Sequence, residues 1–270
     1  MNALRKNWKV YSMEAICLGL FMMSASFFGT ILEYPGSVVR QSLPNDFVRL
    51  VLMGLAMGLT ATGINYSPMG KWSGAHMNPA ITLTFYKLNK IKGIDAIFYS
   101  LFQCIGGIVA MILMRLLLGV YLADSHVNYV ITAPGRFGAL IAFFTEVFIA
   151  FGMMTMVLIT TNNRNLSKYT GGIAGLMVTC YVIVSGPISG FSMNPARTIA
   201  SAIPAMQYPS FWIYLTAPFM GMFSAAVLYK YFHGVVHCAK LHHSKFYTCI
   251  FYCGYGKYDH ALEVTKTDNV

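Results

Sequence analysis

Apolar residues run along this chain in six long blocks, roughly 12 to 32, 48 to 66, 94 to 122, 138 to 160, 169 to 187 and 210 to 232. Each block is near the ~20 residues an α-helix needs to cross a bilayer. Polar, Gly and Pro positions collect between them. The pattern predicts six membrane-spanning helices, and an even number puts both termini on one side. Glu14 sits inside the first block, which lacks the small-residue cleavage site of a signal peptide, so that block predicts a retained helix.

Composition strengthens this reading. Apolar residues make up 56% of the 270 positions and charged residues 10%, against about 25% charged in soluble domains. The net charge of +10 does not point to nucleic acid, because the bases fall in short connections rather than in a patch with interleaved aromatics. Lys and Arg in short connections favour the cytoplasmic side. Arg5, Lys6, Lys9, Lys71, Lys87, Lys90, Lys92, Arg164 and Lys168 share the terminal side, whereas the other side holds Arg40, Arg49, Arg136 and Arg197, with Arg115 near it. Both termini are expected in the cytoplasm. Six cysteines are split between spans and tail, with none in the connections of the outer face, which argues against a disulfide framework.

An octapeptide occurs twice, SGAHMNPA at 73 to 80 and SGFSMNPA at 189 to 196, with six of eight positions identical. Each copy follows a span and lies in a stretch too short to cross the membrane. Asn78 and Asn194 suit a helix N-cap, and Pro79 and Pro195 suit the first helical turn, where no N–H is missed. Ala80 and Ala196 continue each helix. Irregular backbone at bilayer depth is tolerated only inside protein or beside a watery cavity, so the two copies predict re-entrant half-helices around a pore. The repeat extends to Glu14, which opens EAICLGLFMM, and Glu146, which opens EVFIAFGMM. Each half then holds three spans and one half-helix. Three is odd, so the halves insert with opposite orientation and the half-helices meet by their N-terminal ends.

The paired Asn-Pro-Ala motifs, the second followed by Arg, resemble the signature of the aquaporin, or major intrinsic protein, family over about residues 10 to 233. The resemblance implies an all-α membrane protein with six transmembrane helices plus two re-entrant half-helices in an inverted repeat, the aquaporin-like hourglass. It also implies a homotetramer with one pore per subunit and passive permeation. The domain reading is an N-terminal segment 1–10, a channel domain 11–233 (repeat one 11–122, repeat two 138–233) and a cytoplasmic tail 234–270.

Opposed half-helices direct their positive ends at the midplane, each equivalent to about half an elementary charge, which disfavours cations. Asn amides can donate to a permeating oxygen there. The copies part at the next position, Ile81 against Arg197. An arginine within a membrane should face a cavity, and Arg197 reads as the filter cation. By resemblance the other filter walls are Phe191, Val182 and Met53. Phe191 resembles the loop aromatic of glycerol facilitators, whereas Thr198 and Ala202 depart from their pattern, and Tyr214 with Leu215 form a mixed pair. Water is the expected principal permeant, with glycerol, urea, ammonia and hydrogen peroxide left open.

Glu14 and Glu146 read as braces for the re-entrant loops, since those loops need buried acceptors. His76, two residues before Asn78, reads as a pore-wall hydrogen bonder. In the tail, His233, His237, Cys238, His242, His243, Cys249 and Cys253 are soft or imidazole donors, yet their spacing matches no standard finger. Phe246, Tyr247, Phe251 and Tyr252 predict an interfacial amphipathic helix, docked on the membrane or palmitoylated. No metal or cofactor is assigned. The alternatives to a water channel are a glycerol or small-solute facilitator, a secondary transporter, whose inverted repeats look alike, and a non-conducting adhesion protein. An enzyme is disfavoured, because no nucleophile, base and orienter converge near the motifs. The expected partners are water, small neutral solutes and the lipid bilayer.

Overall fold

The computed structural model describes residues 2–242, 247 and 249–254. In chain order the α-helices are α1 (Asn2–Glu33), α2 (Val38–Ser42), α3 (Asp46–Tyr66), α4 (Pro68–Ser73), α5 (Pro79–Lys87), α6 (Gly93–Leu118), α7 (Val120–Ala123), α8 (Gly138–Thr161), α9 (Thr170–Ser189), α10 (Pro195–Ala205) and α11 (Phe211–His233). Six of them, α1, α3, α6, α8, α9 and α11, are long and apolar enough to span a membrane. Their outward faces carry exposed Leu59, Leu116, Phe148, Leu176 and Val184, while Glu14, Gln103 and Glu146 are fully buried. Such an inside-out distribution suits a chain solvated by lipid.

The first helix starts at Asn2, ahead of the apolar block that begins near residue 12. Asp95 holds this extension: its carboxylate accepts a hydrogen bond from Tyr11 Oη and another, at 3.0 Å, from Asn7 Nδ2. The connection after α3 is lengthened by α4, which Ser67 caps by accepting the Gly70 N–H at 3.0 Å and which ends at left-handed Gly74.

Close helix approach follows the internal repeat. A β-carbon at Gly106 of α6 would fall 2.1 Å from the Ala15 carbonyl oxygen of α1, and one at Gly221 of α11 would fall 2.2 Å from that of Val147 in α8. Ala15 and Val147 follow the two matched glutamates, so both halves pack their outer spans through the same glycine contact. Tyr99 Oη donates to the Ser73 carbonyl at 2.8 Å, and Tyr214 Oη donates to that of Ser189 at 2.6 Å. Each half is therefore closed by the same tyrosine on the residue that opens its octapeptide.

Candidate functional site

Each half-helix starts as its Asn-Pro pair dictates. The Asn78 side-chain oxygen accepts the Ala80 N–H at 2.8 Å, and the Asn194 oxygen accepts those of Ala196 and Arg197 at 3.0 and 3.3 Å. The amide nitrogens then cross between repeats. Asn78 Nδ2 donates to the Met193 carbonyl at 2.8 Å, and Asn194 Nδ2 donates to the Met77 carbonyl at 2.6 Å. An amide has two N–H donors, so each asparagine keeps one beyond this reciprocal tie.

The stretches before the caps are held in matched strained conformations. Ala75 and Met77 have φ of 55° and 49°, and Phe191 and Met193 have 43° and 53°, a left-handed region that disfavours side chains. The glutamates hold them there. Glu14 accepts the N–H groups of His76 and Met77 at 3.1 and 2.7 Å, and Glu146 accepts those of Ser192 and Met193 at 2.9 and 2.5 Å. Gln103 Nε2 adds a donor to Glu14 at 2.7 Å, and Ser189 Oγ adds one to Glu146 at 2.7 Å.

Both asparagines line one cavity of about 80 Å³, room for several waters. Its wall is mostly apolar, with Phe21, Ile81, Val157 and Val178 among its residues, and it also includes Phe191, Arg197 and His76. Arg197 Nη1 is buried with no hydrogen-bond partner, as is the side-chain oxygen of Asn65, which lies on the same wall. A mostly apolar cavity with an unspent cationic donor, two spare amide donors and one spare acceptor suits small neutral hydrogen-bonding molecules. Asn65 escaped the sequence reading, although an amide inside an otherwise apolar span was a usable signal. Val182 and Met53 are not on this wall. Val182 is buried, Met53 is half-buried, and both belong to the apolar cluster that contains Phe191.

The terminal face differs most from expectation. Among the described residues, 234–254 form no helix; His243 and Phe246 lie outside the described residues. The segment packs into the mouth beside His76. The His76 Nε2–H donates to the Ala239 carbonyl at 2.8 Å, Nδ1 lies 3.0 Å from Thr82 Oγ1, and the ring stacks on Phe85 and Phe251 at 5.2 and 5.3 Å. Both ring nitrogens are thus engaged by protein, one of them by the tail. The Leu241 N–H donates to the Gly74 carbonyl at 3.1 Å, and Leu241 itself joins the cavity wall. The Tyr252 N–H donates to the Lys90 carbonyl at 2.9 Å, and Lys240 Nζ to that of Lys71 at 3.1 Å. In place of the expected interfacial helix, the described residues run as a non-helical segment whose Phe251 packs against His76 and Tyr99 in the mouth. Phe251 is 6% exposed.

Comparison with known proteins agrees with this geometry. A sequence model of the major intrinsic protein family matches residues 4–229. Aquaporin NIP1-2 of Arabidopsis thaliana is 35% identical over 67% of the chain and 63% of its own length. Aquaporin NIP1-1 of the same plant is 33% identical over 76% of the chain and 71% of its own length, and Nodulin-26 of Glycine max 32% over 69% and 68%. The chain thus spans a little under two thirds of the first of these relatives. In structure it is similar to the aquaglyceroporin from Plasmodium falciparum, with a TM-score of 0.67 at 21% identity over 82% of this chain and 94% of that one, a likeness of fold. A match that runs from the first span to the last leaves one assignment: the chain belongs to the major intrinsic protein family, as an integral multi-pass membrane protein with the aquaporin fold.

Proposed function

We propose that the chain is a passive water channel that also admits small uncharged solutes, assembled as a homotetramer in the plasma membrane with both termini in the cytoplasm. The observation that carries this reading is the single cavity lined by both crossed asparagines and by Arg197 with its unspent Nη1 donor. A permeating water meets donors from Asn78, Asn194 and Arg197 in turn and an acceptor at Asn65. Two opposed helix N-termini and a guanidinium make the same passage hostile to cations and hydronium. Arg197, Phe191, Val182 and Met53 are the proposed filter residues; Arg197 and Phe191 line the cavity, and Val182 and Met53 belong to the apolar cluster that contains Phe191.

Glycerol-sized solutes are the second reading, favoured by Phe191 on the cavity wall, which resembles the loop aromatic of glycerol facilitators. Stopped-flow light scattering on proteoliposomes tests both. Sucrose-driven shrinkage should be faster than in protein-free vesicles, and re-swelling in glycerol and urea ranks the solutes. Flux that saturates, or that needs a proton or sodium gradient, would refute passive permeation and favour a transporter.

A further inference from the structure

Three of the six cysteines converge where the tail enters the mouth. Cys238 Sγ lies 3.7 Å from Cys249 Sγ, and the Sγ atoms of Cys238, Cys249 and Cys253 all lie within 4.8 Å of one another. A disulfide needs sulfurs about 2.05 Å apart, so 3.7 Å is a non-bonded separation. Three thiolates around one tetrahedral ion with bonds of about 2.3 Å would stand about 3.8 Å apart. The observed pair already has that spacing. Cys238 is fully buried and the other two are half-buried, so an ion there would be shielded while the fourth position stays reachable.

The surroundings supply the balancing charge. A divalent ion with three thiolates carries one net negative charge. Lys240 is 1% exposed and stands two residues after Cys238. Its ammonium donates to the Lys71 carbonyl, and among the described residues no carboxylate pairs with it. A buried cation without an anionic partner is costly, and a metal–thiolate centre would provide one.

We propose that Cys238, Cys249 and Cys253 form a thiolate site for a soft d10 metal ion, Zn²⁺ or Cu⁺, that clamps the tail across the channel mouth. The clamp follows from where the ligands sit. Cys238 precedes Ala239, whose carbonyl holds His76, while Cys249 and Cys253 flank Phe251, which stacks on the same imidazole. One ion would tie together the two arms that grip His76. As the metal–sulfur bonds form, the three thiol protons pass to solvent, so binding strengthens as pH rises. The metal site stands on its own geometry; its effect on flux rests on the channel reading above.

The test uses the full-length protein, reduced with a phosphine, stripped with a chelator and titrated with Co²⁺ as the optical probe. Thiolate-to-cobalt charge-transfer bands should saturate at about one ion per chain. Parallel titrations with Zn²⁺ and with Cu⁺ under anaerobic conditions identify the ion that displaces cobalt. Cys249→Ser and Cys253→Ser should each abolish the bands, and a Cys17→Ser/Cys104→Ser/Cys180→Ser variant should keep them. No more metal on the stripped wild type than on Cys253→Ser, or a Cys238–Cys249 disulfide in place of metal, would overturn the site, whether or not the protein conducts. In proteoliposomes the favoured ion should slow water flux severalfold, reversed by chelator and absent in Cys253→Ser. Full metal occupancy with unchanged flux would overturn the clamp.

Discussion

Replacing Glu146 with Gln changes one atom of one side chain, and the structure allows its consequence to be worked out. Oε1 accepts from Ser192 N and Ser189 Oγ, and Oε2 accepts from Met193 N at 2.5 Å. A glutamine can keep the first oxygen's partners, but its NH₂ then faces the Met193 N–H, donor against donor. One charge-assisted bond worth about 1.5–3 kcal/mol is lost, and a buried N–H is orphaned at about 1–3 kcal/mol more. That loss compares with the left-handed strain at Phe191 and Met193, about 1–3 kcal/mol each. The brace and the strain it holds are of the same size, so the loop should relax once the brace is cut. Phe191 and the Met193 carbonyl, which receives Asn78, would then shift together. We expect Glu146→Gln to lower water permeability in stopped-flow assays about tenfold and the unfolding midpoint by about 5 °C or more. Glu14→Gln should behave alike, because its Oε2 holds the Met77 N–H at 2.7 Å in the same way. Wild-type permeability together with an unchanged midpoint in both variants would refute the bracing argument.

Other consequences are open to the same assays. Phe191→Ala removes a ring from the cavity wall and should raise glycerol permeation severalfold, read as re-swelling in a glycerol gradient; unchanged glycerol entry would count against Phe191 as a size gate. Arg197→Val removes a unit charge worth about 4 kcal/mol against a cation at ~4 Å and an effective dielectric of ~20, so proton leak, followed with an entrapped pH dye, should rise more than tenfold. Truncation after His233 removes the segment in the mouth and should increase water flux, while Leu241→Ala should do so more weakly; equal flux in all three forms would place the tail outside the conduction path. Gly221→Val pushes side-chain atoms into the Val147 carbonyl that a β-carbon alone would meet at 2.2 Å and should destabilise the fold by about 1–3 kcal/mol, measured as a lower unfolding midpoint.

What the sequence revealed, and what it hid, divides by the range of the interactions. Span positions follow from continuous apolar runs, and the half-helix starts follow from Asn-Pro, because capping is settled within three residues of chain. The start of α1 at Asn2 was missed because it depends on Asp95, more than eighty positions away. The tail was misread for the same reason. Its aromatics and cysteines have no period of their own, and their places depend on Gly74, Lys90 and Asn162, three separate connections that only the folded chain brings to one mouth. Asn65 sits inside the apolar block 48 to 66, and its place on the cavity wall depends on packing that the local pattern does not encode.

The two halves share their architecture closely enough that departures from the repeat point to specialised function. Crossed asparagines, bracing glutamates, left-handed pairs, closing tyrosines and contact glycines all occur twice, and what occurs twice builds the scaffold. Positions without a counterpart mark the two ends of the cavity. Arg197 stands where the first repeat has Ile81, and Phe191 stands where it has Ala75, so charge and bulk concentrate at one mouth. At the other mouth His76 replaces Ser192, and the partners differ accordingly: Ser192 Oγ bonds within its own loop, to the Asn194 carbonyl at 2.9 Å, whereas His76 reaches out to the tail. A symmetric pair of loops would close or open both ends alike. On the proposed reading, breaking the symmetry at these positions lets one end select by charge and size while the tail segment covers the other. Swapping the loop residues should therefore separate the two properties: Phe191→Ala alters which solutes pass in a full-length or a truncated chain, and His76→Ser alters flux only while the tail is present. A His76→Ser effect that persists in the truncated chain would show that the imidazole acts on the permeant directly, against the latch role its geometry supports.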